Sequence, residues 1–305
     1  QQAVVHVVEA TWTQQEDFLP GLRILLRWPI CDSSQEVRAL DAAELRRAVK
    51  RGELVLGTFV SECWSPTIAR IYATAGFDFF LLDTEHGGMD MESVTANILV
   101  ARGSGITPIV RIPWHDRAHV LRPLEAGAGG LLVPMVETAE TARQIVRFAK
   151  YPPFGQRGVA LGRAHTLYKR VDPVEYTRQA NEETTIAVQI ETAKAIENLD
   201  AILSVEGVDV AYVGPSDLSH SLGRPGEITH PDVEGAIKEV IAACGRHGVT
   251  PGIHLQELDL VKYWVNQGMR FVSYASEVSF ILRGATQFLT EVRSAFPTLV
   301  GGARN

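Results

Sequence analysis

Asp83, Glu85 and His86 stand within four positions of one another in the stretch "FFLLDTEHGG", at the end of an apolar run. An imidazole next to carboxylates is an acid/base set, since it exchanges protons near neutrality and a carboxylate can fix its tautomer. Asp83 and Glu125 are the candidate partners for His86; a loop histidine that is merely hydrogen-bonded is the plainer possibility. Glu191, in "QIET", and Asp217, in "GPSD", form a second set. Two carboxylates with no cysteine nearby suit a hard divalent cation such as Mg2+ or Mn2+, which keeps positions for water and substrate oxygens. Each could instead cap the helix that follows it. "GPSD" leads small residues into a helix and leaves the N–H groups at Ser216 and Asp217 free to meet a carboxylate, or it is a simple turn. Gln189 lies two residues before Glu191 and so on the same face of a strand. Arg111 is costly inside a barrel unless it is paired or used. It either neutralises an oxyanion or pairs with Glu85 or Glu125.

Composition narrows the classes. Of the 305 residues, 46% are hydrophobic and 21% charged, the balance of a soluble globular protein. A formal net charge of −7 gives no support to nucleic-acid binding. Cys31, Cys63 and Cys244 are far apart and form no CxxC pair, which fits a reducing compartment, the cytoplasm. No apolar run reaches the roughly 18 residues of a membrane helix. "LPGLRILLRWPIC" is broken by arginines and prolines and makes a poor signal peptide.

These residues need elements to carry them. Eight apolar runs read as strands: 54–60, 77–83, 107–113, 130–136, 184–191, 208–214, 249–255 and 270–276. Amphipathic stretches separate most of them, and several end in glycine, the usual helix stop. "DAAELRRAVKRGE" opens such a helix, with Asp41 as its N-cap. Apolar strands alternating with helices indicate a parallel sheet covered by helices, and eight units indicate an α/β fold of the (β/α)8 TIM-barrel type. A doubly wound open sheet is the competitor, but no GxGxxG follows the first strand. The expected organisation is an extension over 1–40, a single barrel over 41–296 and a tail over 297–305. In a barrel, chemistry sits at the C-terminal ends of strands. Asp83, Arg111, Gln189, Glu191, Asp217 and His254 fall at such ends. None of the six lysines falls in an expected strand. A Schiff-base route is therefore disfavoured, and a metal must supply the electron sink.

"FDFFLLDTEHGGMD", "VRIPWHD", "GAGGLLVPMVETAETAR", "YPPFGQRGVA" and "VQIETAKAIENLDAILSVEGVDVAYVGPSDLSHSLG" together resemble the class II, metal-dependent pyruvate aldolases. That family includes the 4-hydroxy-2-oxoheptanedioate and 2-dehydro-3-deoxyglucarate aldolases. The resemblance runs in unbroken order from about residue 42 to 292. It implies a (β/α)8 barrel that cleaves 4-hydroxy-2-oxo acids reversibly to pyruvate and an aldehyde. It also implies a divalent metal (Mg2+, Mn2+ or Co2+) on Glu191 and Asp217, with pyruvate held by Gln189, Arg111 and the backbone at Ser216 and Asp217. His86 would belong to the acid/base apparatus. The family aspartate that supports this histidine is replaced here by Glu125, and Asp83 can share its role. His254 stands where the family has an aliphatic side chain facing the aldehyde, so acceptor specificity does not carry over. Family members assemble as trimers or hexamers, so a homo-oligomer is expected. A citrate-lyase-like or malyl-CoA-like lyase and a non-catalytic keto-acid-binding barrel are the alternatives.

Overall fold

The computed structural model describes residues 40–297; residues 1–39 and 298–305, which hold the expected extension and tail, lie outside the described residues. Eight strands follow in order: β1 (Val55–Val60), β2 (Phe79–Asp83), β3 (Thr107–Arg111), β4 (Gly130–Val133), β5 (Thr185–Ile190), β6 (Val210–Val213), β7 (Thr250–Leu255) and β8 (Phe271–Ser276). Each pairs in parallel with the next, and β8 closes on β1. The structure is thus a (β/α)8 barrel. Both edges of the sheet are consumed by closure, which excludes the open doubly wound alternative. Every strand lies inside its expected run, trimmed at the ends.

Burial on both faces explains the near-continuous apolar strands. In β2, β4, β5 and β6 every residue is buried. One alternation points inward, where Phe79 stacks on Phe271 with centroids 4.1 Å apart. Gly57 makes room for that pair, because a Cβ there would lie 2.3 Å from the Phe79 ring. The other alternation packs beneath the helices.

The face at the strands' N-terminal ends is built for stability. Asp41 caps the helix Ala42–Lys50, accepting the Glu44 N–H at 2.8 Å. From that helix, buried Arg46 reaches the Asp209 carboxylate at 2.8 Å. Lys150 is also buried here, donating to the carbonyls of Asn181 and Thr184 at 2.7 Å each. Burial, with Arg46 nearby, lowers its pKa to about 7. It stands just before the start of β5, away from the strands' C-terminal ends. It therefore offers no Schiff-base amine there. Among the described residues, no helix is long and apolar enough to cross a membrane.

Candidate active site

Asp83, Arg111, Gln189, Ser216 and His254 line one cavity of about 210 Å3. Strand register places the first two together. Asp83 and Arg111 are paired positions on β2 and β3. The Arg111 guanidinium meets both oxygens of Asp83, at 2.9 and 2.5 Å. Asp83 also accepts the N–H groups of Glu85 and His86 at 3.1 and 3.3 Å. Burial alone would raise the Asp83 pKa, but these bonds and the arginine charge outweigh it and hold the carboxyl below its usual range. Phe59 supports the guanidinium from the side, with its ring centroid 4.8 Å from Arg111 Cζ.

Glu85 stands 3.4 Å from Arg111 and has a buried oxygen, Oε2, with no hydrogen-bond partner. Burial raises its pKa to about 7 against the pull of Arg111, and the charges of Asp83 and Asp217 push the same way. The His86 ring is 64% exposed and its Nε2 lies 3.7 Å from Glu85 Oε2. Its carboxylate neighbour is therefore Glu85, whereas Asp83 bonds only the His86 backbone. Gly87 keeps this loop close: a Cβ would fall 2.7 Å from the Ser61 carbonyl and 2.8 Å from that of Asp83.

Glu125 lies apart from Arg111 and His86 within the chain. It sits in the last turn of the helix Arg117–Ala126, which runs back toward the N-terminal ends of the strands. There it pairs with Arg157 at 3.0 Å, and its carbonyl meets His165 Nδ1 at 3.0 Å. Within the chain it is neither a partner of Arg111 nor a support for His86.

Glu191 is buried beside the cavity. Its Oε1 accepts the Met135 N–H at 2.7 Å, and its Oε2 accepts the Gln189 amide at 2.5 Å. Met135 adopts a positive φ of 54°, an uncommon conformation for a side-chain-bearing residue, where it donates to Glu191. Gly214 leaves space for the carboxylate, since a Cβ there would sit 2.8 Å from Oε2. Capping does not account for either acid. Thr192 caps the helix after Glu191, and Gly214 is the N-cap of the helix that holds Asp217. Burial raises the Glu191 pKa against its two hydrogen bonds, and the charges of Glu85 and Asp217 add to the rise.

The carboxylates of Glu85, Glu191 and Asp217 are thus close enough for their negative charges to act on one another. Among the described residues, no group of three or more His, Cys, Asp and Glu side chains is arranged to hold a metal. Two oxygen-donor carboxylates, Glu191 and Asp217, nevertheless fit a hard divalent cation that takes its other ligands from water and substrate. The space kept by Gly214 beside Glu191 Oε2 accords with that role.

Over residues 56–283 the chain matches the family described as HpcH/HpaI aldolase/citrate lyase. It is 37% identical to the hydroxypyruvate/pyruvate aldolase of Roseobacter denitrificans, across 78% of this chain and 92% of that protein. It is 39% identical to the 4-hydroxy-2-oxo-heptane-1,7-dioate aldolase of Klebsiella pneumoniae, across 78% and 89%. A crystal structure of an HpcH/HpaI aldolase from Desulfitobacterium hafniense matches with a TM-score of 0.78 at 37% identity, covering 82% of this chain and 96% of that one.

Proposed function

From the premise that the chain belongs to the HpcH/HpaI aldolase/citrate lyase family, we propose that it cleaves 4-hydroxy-2-oxo acids reversibly to pyruvate and an aldehyde. It is a carbon–carbon lyase. The observation that carries the substrate reading is the single cavity where Arg111, paired with Asp83, faces Gln189 and the Ser216 turn.

Glu191 and Asp217 would hold a divalent cation, Mg2+, Mn2+ or Co2+. When bound, it supplies Lewis-acid polarisation of the C2 carbonyl. The backbone N–H groups at Ser216 and Asp217 receive the substrate carboxylate, and Gln189 orients the 2-oxo group. His86, next to Glu85, takes the proton of the C4 hydroxyl. The C3–C4 bond breaks, the aldehyde departs, and its bonding electrons pass to the enolate of pyruvate. Arg111, held rigid by Asp83, stabilises the developing negative charge on the C2 oxygen. Protonation at C3 gives pyruvate. His254 stands at the cavity wall, where it presents a polar surface to the aldehyde.

A coupled assay for pyruvate release tests this. Cleavage of 4-hydroxy-2-oxo acids is expected with added Mg2+ or Mn2+ and is expected to stop with a chelator. Release that is absent with both metals would sink the substrate reading, and undiminished release under chelation would sink the metal.

The proposed assembly is a homo-oligomer, trimer or hexamer. Ile281, Leu282 and Phe288, on the helix Glu277–Ala295, are 57%, 60% and 61% exposed. Such an apolar face is stabilised by burial against a second copy. Sedimentation at micromolar concentration is expected to give a multiple of 33.4 kDa, and a species of only that mass contradicts it. The free thiols of Cys63 and Cys244 accord with a reducing cytoplasm as the compartment.

A further inference from the structure

Polar side chains run beneath the cavity through a barrel interior that is otherwise largely apolar. Tyr212 points inward from β6. Its register partner on β7 is Gly252, where a Cβ would stand 3.0 Å from Tyr212 Cδ2. The missing side chain lets the ring cross that strand, and the phenol bonds the Ser273 hydroxyl on β8. Ser273 is in turn the register partner of His254, whose Nδ1 lies 2.8 Å from Ser273 Oγ. The Gln256 amide nitrogen stands 2.9 Å from His254 Nε2, and its amide oxygen accepts the Ser279 hydroxyl at 3.3 Å. Tyr212 and Ser273 are fully buried, whereas Gln256 is exposed. Tyr212, His254 and Gln256 all line the cavity, and Ser273 joins them from below.

The chain of bonds has a direction. The Ser279 contact turns the Gln256 amide so that its NH2 donates to His254 Nε2. The imidazole proton is then on Nδ1 and is donated to Ser273. Ser273 has one proton, which goes to the Tyr212 oxygen. The phenol proton is left directed into the cavity. Burial holds the Tyr212 pKa well above its ordinary value, so the phenol stays a neutral donor. An apolar trio at these positions would pack without the desolvation that three polar groups incur.

We propose that Tyr212 delivers the proton to C3 of the pyruvate enolate and is resupplied from solvent through Ser273 and His254. This rests on the aldolase reading. The Tyr212 O–H bond breaks and a C3–H bond forms, while the enolate electron pair restores the C2 carbonyl. The phenolate takes the Ser273 proton, and Ser273 takes the Nδ1 proton of His254. Nε2 then takes a proton from a water that replaces Gln256 at the mouth. The hydroxide left behind is neutralised by the proton released from the C4 hydroxyl, so no redox partner is needed. In synthesis the same path removes a methyl proton from pyruvate.

Exchange of pyruvate methyl protons in D2O, followed by NMR with saturating Mg2+ and no aldehyde, reads this step alone. Tyr212→Phe conserves volume and leaves Ser273 with its His254 bond. It is expected to slow exchange by about 10²-fold, the low end for loss of an acid/base group, with pyruvate affinity unchanged. Ser273→Ala, which interrupts resupply, is expected to slow exchange in the same way and again to spare affinity. Exchange in Tyr212→Phe as fast as in the wild type overturns the relay. Slower exchange accompanied by an equal loss of pyruvate affinity also overturns it, by reducing Tyr212 to a packing role. Fast exchange in Ser273→Ala overturns the resupply route. A wild type that exchanges no methyl protons removes the aldolase reading itself.

Discussion

Glu191→Gln and Asp217→Asn are each expected to lower turnover by about 10³-fold or more in a barrel that remains folded. A Lewis acid contributes several kcal/mol at the transition state, and about 1.4 kcal/mol corresponds to each tenfold. The fold should survive the first change for a local reason. Glu191 Oε1 accepts from Met135, and a glutamine oxygen can still do so. Gln189 Oε1 is buried with no partner, so this amide can turn and accept from the new NH2 group. The sign of the pH effect follows from the raised Glu191 pKa. A raised carboxyl binds its proton more tightly folded than unfolded, so ionisation destabilises the fold. In metal-free protein the wild type should therefore lose stability relative to Glu191→Gln as pH rises above the ordinary carboxylate range. The two should converge below it. Calorimetric Mg2+ titration, turnover and thermal unfolding of the variant together decide the matter. Wild-type Mg2+ affinity in either variant would remove that residue from the metal site.

Periodicity made the barrel legible because strands buried on both faces leave apolar runs that little else in the chain imitates. Asp83, Arg111 and Gln189 were legible for a related reason: a charged or amide group at the end of such a run has few structural explanations. The place of Glu125 within the chain is not legible, because sequence distance from a strand end is a poor guide to the face. A helix of ten residues carries the chain back across the barrel, and Glu125 rides its last turn. Glu85 is legible as a member of the acid/base set and as a neighbour of Arg111, but its burial is not, since that depends on the loop that Gly87 holds against Ser61. Tyr212 and Ser273 were invisible for a different reason. Each reads as an ordinary strand residue, and their contact crosses β7 through the space that Gly252 leaves. Such a contact joins residues 61 positions apart on strands that are not neighbours, and no local pattern announces it.

Arg111→Met is expected to lower kcat by about 10²–10³-fold, the usual cost of removing one donor to a developing oxyanion. It is also expected to destabilise the fold, because Asp83 then keeps a buried charge without its cation. Breaking a buried pair from one side typically costs about 3–5 kcal/mol. Two N–H donors remain on Asp83, which places the loss toward the lower figure. Glu85 changes as well, since Arg111 is what restrains its raised pKa. The stability and rate effects have separate origins, and a second substitution separates them. In the Asp83→Asn, Arg111→Met double variant no unpaired carboxylate remains at that position, so most of the lost stability should return. The rate should not, because nothing replaces the guanidinium beside the C2 oxygen. Denaturant unfolding of both variants, with kcat measured on the same preparations, reads the two quantities independently. If the double variant recovers turnover along with stability, Arg111 serves only to neutralise Asp83, and the enolate must be stabilised by other groups in the cavity.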